Sequence, residues 1–206
     1  TRSATAAPGS SLVPRPADVA AATKERPFAN SLGMRFIPVP GTRVLFSVWE
    51  TRVSDFQAFV QDSGYPWSEK PPFAQAPDPP VVSVSWEDAA AFCAWLSAKE
   101  GLEYRLPTDQ EWDAAVGQTQ YAWGEDWPPP NGADNLAGVE AKTGESNDPS
   151  KIVRGWRDAH PRTAPVGSYR ANPLGLYDMG GNAREWVGDL YTRVLYQKHT
   201  AGGGYP

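Results

Sequence analysis

The sequence predicts an α+β fold in which short strands and short capped helices lead into a long stretch of irregular backbone. Three observations carry that prediction: two β-rich runs flank a turn near the start, three later segments open on helix-capping residues, and 21 Pro with 19 Gly among 206 residues commit much of the chain to loops. Hydrophobic residues make up 40% and charged residues 21%, which is a globular balance rather than a disordered one. Nine Trp, eight Tyr and seven Phe can each bury roughly 150 to 250 Å², so one loop-rich core is within reach of a chain this long.

Residues 1–26 are rich in Ala, Pro, Ser and Thr and poor in large apolar groups, and they read as a flexible linker or leader that joins an upstream domain to a globular part over 27–206. Met34–Val39 and Val44–Trp49, separated by Pro40-Gly41-Thr42, read as a hairpin. Ser54 with Gln57 reads as the capping pair of a first helix bearing Phe56, Phe59 and Val60. Ser85 with Asp88 opens the longest helix, about Trp86 to Lys99, whose Ala89, Phe92, Cys93 and Leu96 recur on one buried face. Thr108 with Glu111 opens a short third helix carrying Trp112 and Ala115 and ending at Gly117. From Tyr121 to Gly188 neither period persists, and Gly, Asn, Asp and Pro punctuate the chain.

Charge and metal-ligand composition exclude several functions. A net charge of −5 with no Lys/Arg run argues against a nucleic-acid partner. One Cys excludes an intrachain disulfide framework, and His160 and His199 are too few for a three-His metal centre. No run of 18 apolar residues and no signal-peptide pattern occurs, so the expectation is a soluble protein with no membrane partner, the cytoplasm favoured. The absence of an initiator Met reads as a fragment or processed form. So much irregular backbone needs a fixer, and with disulfides excluded that leaves hard-cation sites of Asp, Asn, Glu and backbone carbonyls, hence Ca²⁺ as the expected structural cofactor.

Five ordered segments resemble a known family. They are Trp49-Glu50-Thr51-Arg52-Val53, Pro80 through Ala89 with Ser85-Trp86-Glu87-Asp88, Tyr104-Arg105-Leu106-Pro107-Thr108-Asp109-Gln110-Glu111-Trp112, Thr163-Ala164-Pro165-Val166-Gly167, and Gly175 through Trp186. Together they resemble the formylglycine-generating enzyme, or sulfatase-modifying factor, domain. That resemblance implies a variant of the C-type lectin fold over roughly residues 28 to 195. It also implies two calcium sites. The first would use the side chains of Asn135 and Asp158 with the carbonyls of Leu136 and His160; the second, the side chains of Asp178 and Glu185 with the carbonyls of Gly181 and Ala183. Oxygen-only sets of this kind suit Ca²⁺ and suit zinc poorly. The plain alternative is that Asp178 and Glu185 merely bond to backbone amides of a Gly-rich turn, and that the His160 ring is a satisfied or solvent-facing imidazole.

The chain departs from the family where its oxidase chemistry resides. The resemblance implies a pair of late cysteines that bind copper(I), yet the only thiol here is Cys93, on the apolar face of the long helix. After Leu195 the family's Gly-Gly-Ser-Trp and Gly-Phe-Arg stretches are absent, so the C-terminal part reads as incomplete. The expected function is therefore non-catalytic: a recognition or ligand-display domain of a larger bacterial protein, signalling-associated or of the diversity-generating retroelement type, with copper not expected. The alternative is a copper- and O₂-dependent oxidase that converts a substrate cysteine to formylglycine, its cysteines lying beyond residue 206. A ligand face for a protein or other partner is expected at the irregular aromatic segments, with Trp127, Trp156, Arg157 and Tyr191 as its members, Tyr121 beside them and Trp123 turned to the core.

Overall fold

The computed structural model describes residues 16–143 and 152–189. Three strands, β1 (Phe28–Ala29), β2 (Arg35–Pro38) and β3 (Leu45–Ser47), form one antiparallel sheet in the order β1-β2-β3. The hairpin register pairs Phe36 with Ser47, Ile37 with Phe46 and Pro38 with Leu45, as the two β-rich runs anticipate, while β1 adds a third strand through Phe28 opposite Phe36.

Side chains alternate across β2, and the alternation divides the core in two. Phe36 joins Phe28, Met34, Phe56, Phe59, Phe92 and Leu96 in one buried cluster. Its neighbour Ile37 joins Val39, Val48, Ala115, Val116, Ala122, Leu176 and Met179 in the other. Each fully buried Phe or Ile side chain contributes about 1.5–3 kcal/mol relative to exposure. The phenylalanine cluster is held by helices α2 (Val53–Ser63) and α3 (Trp86–Glu100), and the aliphatic cluster by α4 (Asp109–Val116) and the loop that follows Asn172.

α3 and α4 begin where the capping chemistry places them. Ser85 Oγ accepts from the Asp88 N–H at 3.1 Å while Asp88 accepts from the Ser85 N–H at 2.8 Å. Thr108 and Glu111 exchange the same pair of bonds at 3.2 and 2.8 Å, and α4 is capped at Gly117. The first predicted cap is corrected. α2 starts at Val53, and the capping partners are Arg52 and Asp55 rather than Ser54 and Gln57: Asp55 accepts from the Arg52 N–H at 3.0 Å and from its guanidinium at 3.0 and 2.8 Å. A buried carboxylate that takes two guanidinium bonds outcompetes a hydroxyl at an adjacent position.

A short helix, α1 (Pro16–Ala20), lies inside the segment expected to be a flexible linker, with Val19 and Ala22 packed against the phenylalanine cluster. Lys24 reaches across to the carbonyl of Pro173 at 2.7 Å, so the described part of this segment is docked onto the fold. Among the described residues, no helix is long and apolar enough to cross a membrane.

Candidate cation centre and the aromatic face

The loop after α4 is built on Asn172. Its side-chain oxygen accepts the N–H groups of Leu174, Gly175 and Leu176 at 3.0–3.1 Å, and its amide donates to the carbonyls of Ala115 and Val116. One side chain thus ties the end of α4 to the turn that delivers Asp178. Asp178 adopts φ 60°, the left-handed region that costs most residues energy. It is only 4% exposed; Oδ2 accepts the Gly167 N–H at 2.7 Å, and Oδ1 is buried with no hydrogen-bond partner. A buried, unpaired carboxylate oxygen costs free energy unless a donor or a cation meets it.

Gly180 and Gly181 are required by close approach. A Cβ on Gly180 would lie 2.7 Å from the Trp123 ring, and one on Gly181 would lie 2.4 Å from the Asn135 carbonyl oxygen. Asp134 accepts from the Gly180 N–H at 2.9 Å, and the Asn182 N–H donates to the Asn135 carbonyl at 2.8 Å. Because N–H and C=O point oppositely across a trans peptide, that second bond also aims the Gly181 carbonyl away from Asn135.

Asn182, at φ 63°, is the joint of the site. Its side-chain oxygen accepts from Asn135 Nδ2 and from the Ala164 N–H, and its amide donates to Glu50 at 2.7 Å. The other Glu50 oxygen accepts the Ala183 N–H at 2.9 Å. Beyond Ala183, the Glu185 carboxylate receives the indole N–H of Trp112 from α4.

Four carboxyl groups, Glu50, Asp134, Asp178 and Glu185, therefore lie close enough to act on one another's charge, and among the described residues none of them is ion-paired with a basic side chain. Burial, reinforced by Glu185 and Asp178, pushes Glu50 up to about 10. Burial likewise raises Asp134 to about 7, with Asp178 and Glu185 adding to the effect against its backbone hydrogen bonds. Asp178 is raised by burial, and so is Glu185, whose carboxyl end is crowded by protein although the residue as a whole keeps an open side. Like charges confined together in low dielectric favour either protonation or a bound cation. The oxygen-only donor set and the orphaned Asp178 Oδ1 fit a hard divalent cation held by Asp178, Glu185 and the carbonyls of Gly181 and Ala183. Among the described residues, no group of three or more His, Cys, Asp or Glu side chains is arranged to hold a metal alone, so backbone oxygens are needed to complete such a shell.

The other expected calcium set gathers differently. Asp158 does meet Leu136 and His160, but through their N–H groups, at 3.0 and 2.8 Å, and it also accepts the Trp156 indole at 3.3 Å. Asn135 donates its amide to the Arg162 carbonyl at 2.7 Å. The His160 ring sits edge-on to Tyr169, a half-buried packed imidazole.

The aromatic face is partly redrawn. Trp127 is 58% exposed and Arg157 is exposed, whereas Trp156 is only 5% exposed and leaves the face. Trp156 is drawn inward because its indole binds Asp158 and its carbonyl receives the Val139 N–H at 3.0 Å. Tyr191 lies outside the described residues. Trp123 is half-buried rather than core, stacked on Tyr121 at 5.0 Å and 8°, with Trp127 at 5.5 Å from Tyr121.

Sequence reasoning assigned no role at the site to Glu50, Asp134 or Asn182, and it placed Trp112 only on the third helix. One signal for Glu50 was available: an acid directly following the apolar strand run that ends at Trp49.

The sulfatase-modifying factor enzyme 1-like domain family matches residues 43–205. The chain belongs to that family. It is 35% identical over 124 residues to the formylglycine-generating enzyme of Streptomyces coelicolor, covering 58% of this chain and 35% of that protein. It is also 35% identical over 118 residues to the inactive C-alpha-formylglycine-generating enzyme 2 of Bos taurus, covering 54% of this chain and 33% of that one. The chain thus spans about a third of the length of these relatives. PvdO from Pseudomonas aeruginosa shares the fold at TM-score 0.58 and 22% identity, over 84% of this chain and 61% of its own. The α+β, C-type lectin-like architecture expected from the sequence is that of the family.

Proposed function

We propose that this family member is a non-catalytic, cation-stabilised recognition domain. The observation that carries the reading is Cys93, the single thiol of the 206 residues. It lies half-buried on α3, and burial pushes it up to about 11, so it stays a protonated, inert thiol at neutral pH. Copper(I) is selected by soft thiolate pairs, and one protonated thiol does not make one.

The cation proposed is Ca²⁺, held by Asp178, Glu185 and the Gly181 and Ala183 carbonyls. The other expected set would offer an ion the Leu136 and His160 carbonyls and Asp158, whose carboxylate already accepts three N–H bonds. Asp178 and Glu185 would hold the ion, whose positive charge would let the neighbouring carboxylates ionise together. The residues around it hold the loop: Asn182 joins the segments, Trp112 orients Glu185, and Gly180 leaves room for the Trp123 ring. The ligand face this scaffold would support is the Tyr121–Trp123–Trp127 stack with Arg157, suited to a protein or other partner that buries an aromatic anchor.

The oxidase reading is favoured by the formylglycine-generating enzyme of Streptomyces coelicolor, with the cysteines then supplied by sequence outside these residues. Incubation of the chain with copper(I), O₂ and a cysteine-containing peptide tests the non-catalytic reading: mass spectrometry is expected to find no formylglycine, and conversion would overturn it.

A further inference from the structure

Glu50 lies outside the loop that forms the cation centre, between β3 and α2, and it is buried. Its two carboxylate oxygens are spent on that loop, one on the Ala183 N–H and the other on the Asn182 side chain, across more than a hundred residues of sequence. Among the described residues it is paired with no cationic side chain, and its bonds to Asn182 and Ala183 set it directly behind the turn that carries the Gly181 and Ala183 carbonyls, within electrostatic reach of Glu185 and Asp178. Asp178 Oδ1 is buried there with no hydrogen-bond partner.

We propose that Glu50 is the charge-selecting and positioning residue of the cation centre: it fixes the Asn182–Ala183 turn and supplies the extra negative charge by which the site favours ions of higher charge. The inference rests on the reading of Asp178 and Glu185 as a cation site. Two carboxylates already balance a divalent ion. A third buried carboxylate beside them interacts with the ion in proportion to the ion's charge, so it favours a trivalent ion over a divalent one, and a divalent one over Na⁺ or K⁺. A carboxylate kept only to accept two N–H bonds would weaken all ions by one common factor when changed.

The test is a titration of the 206-residue chain with Tb³⁺, read as emission sensitised by indole excitation, followed by displacement with Ca²⁺. The indole of Trp112 on Glu185 supplies a donor at the site. Glu50→Gln is expected to weaken Ca²⁺ by roughly tenfold and Tb³⁺ by about thirtyfold, since the lost Coulomb energy scales with ion charge. Glu50→Asp, which keeps the charge and shortens the reach, is expected to weaken both ions while preserving their ratio. Circular dichroism verifies that each variant folds, and if Glu50→Gln does not fold, the same unequal weakening is read in Glu50→Ala, which removes the charge without setting an amide donor against the Ala183 and Asn182 N–H groups. Equal factors for both ions in Glu50→Gln, no change in either, or a collapsed ratio in Glu50→Asp would overturn the role of Glu50 and leave the cation site standing. Failure of the unaltered chain to bind either ion would overturn the underlying cation reading instead.

Discussion

Asp158 and Asp178 both sit where irregular loops meet, and their carboxylates are satisfied in opposite ways. Asp158 accepts three N–H bonds, from Leu136, His160 and the Trp156 indole, and so closes its own loop with protein donors. Asp178 accepts one, from Gly167, and leaves its other oxygen buried without a partner, its charge raising Glu50 and Asp134 nearby. Loops of the same composition thus differ in how far the protein's own donors satisfy the acid at their centre. The difference teaches that a Gly- and Asn-rich segment does not reveal its fixer until the donors around each acid are counted.

The largest expected effect breaks the self-sufficient side. Asp158→Ala leaves buried N–H groups without an acceptor and is expected to cost about 3 kcal/mol, with the same loss of melting temperature in calcium and in chelator. A loss confined to calcium would show that Asp158 serves an ion after all. On the other side, calcium at a hundredfold excess over its Kd is expected to add about 2.7 kcal/mol. Asp178→Ala with Glu185→Ala should remove most of that increment, and coincident melting curves of the unaltered chain in calcium and in chelator would reject the cation centre.

The pH profile sharpens the contrast. The carboxyls of Asp134 and Glu50 are raised to about 7 and about 10, above their unfolded values of about 4. The folded state therefore binds more protons than the unfolded one across that window. Their contribution is fully present below about pH 4 and is lost as pH rises through 7 and towards 10, so in chelator the melting temperature should fall between pH 5 and 8. Calcium should flatten that slope, and an unchanged slope in calcium would separate the cluster from the ion.

Smaller effects bear on parts outside both sites. Glu111→Ala removes an acceptor from the Thr108 cap and the partner of Arg105, and should cost about 1 kcal/mol without altering calcium dependence. Smallest of all, Trp127→Ala should change stability by no more than about 0.5 kcal/mol because the ring is largely exposed. A larger loss in thermal melting would mean that the aromatic stack is structural rather than a face.

Legibility followed the range of the interactions. The caps of α3 and α4 were readable because both partners lie three residues apart, and the hairpin because alternation is local. The α2 cap misled because Arg52 is also tied to distant backbone: it bridges to Pro80 and reaches the Leu32 carbonyl. Asp178 and Glu185 were readable as a motif. Glu50 and Asp134 were not, since their contacts with the loop span 133 and 46 residues. Trp156 looked like a display residue because nothing local announces that its indole turns inward to Asp158.

Asn182 sets an unusual limit on substitution. Its amide bonds at once to Asn135, Ala164 and Glu50, while its backbone stands in the left-handed region. Aspartate would trade the donor that Glu50 needs for a repelling charge, glutamine would carry the amide one methylene too far, and glycine would suit the backbone and abandon every side-chain bond. Among the twenty residues only asparagine combines that reach, that donor and acceptor pair and that backbone tolerance. A saturation library at position 182 should therefore return a nearly single-letter answer, while the exposed Arg184 two residues on accepts most of the alphabet.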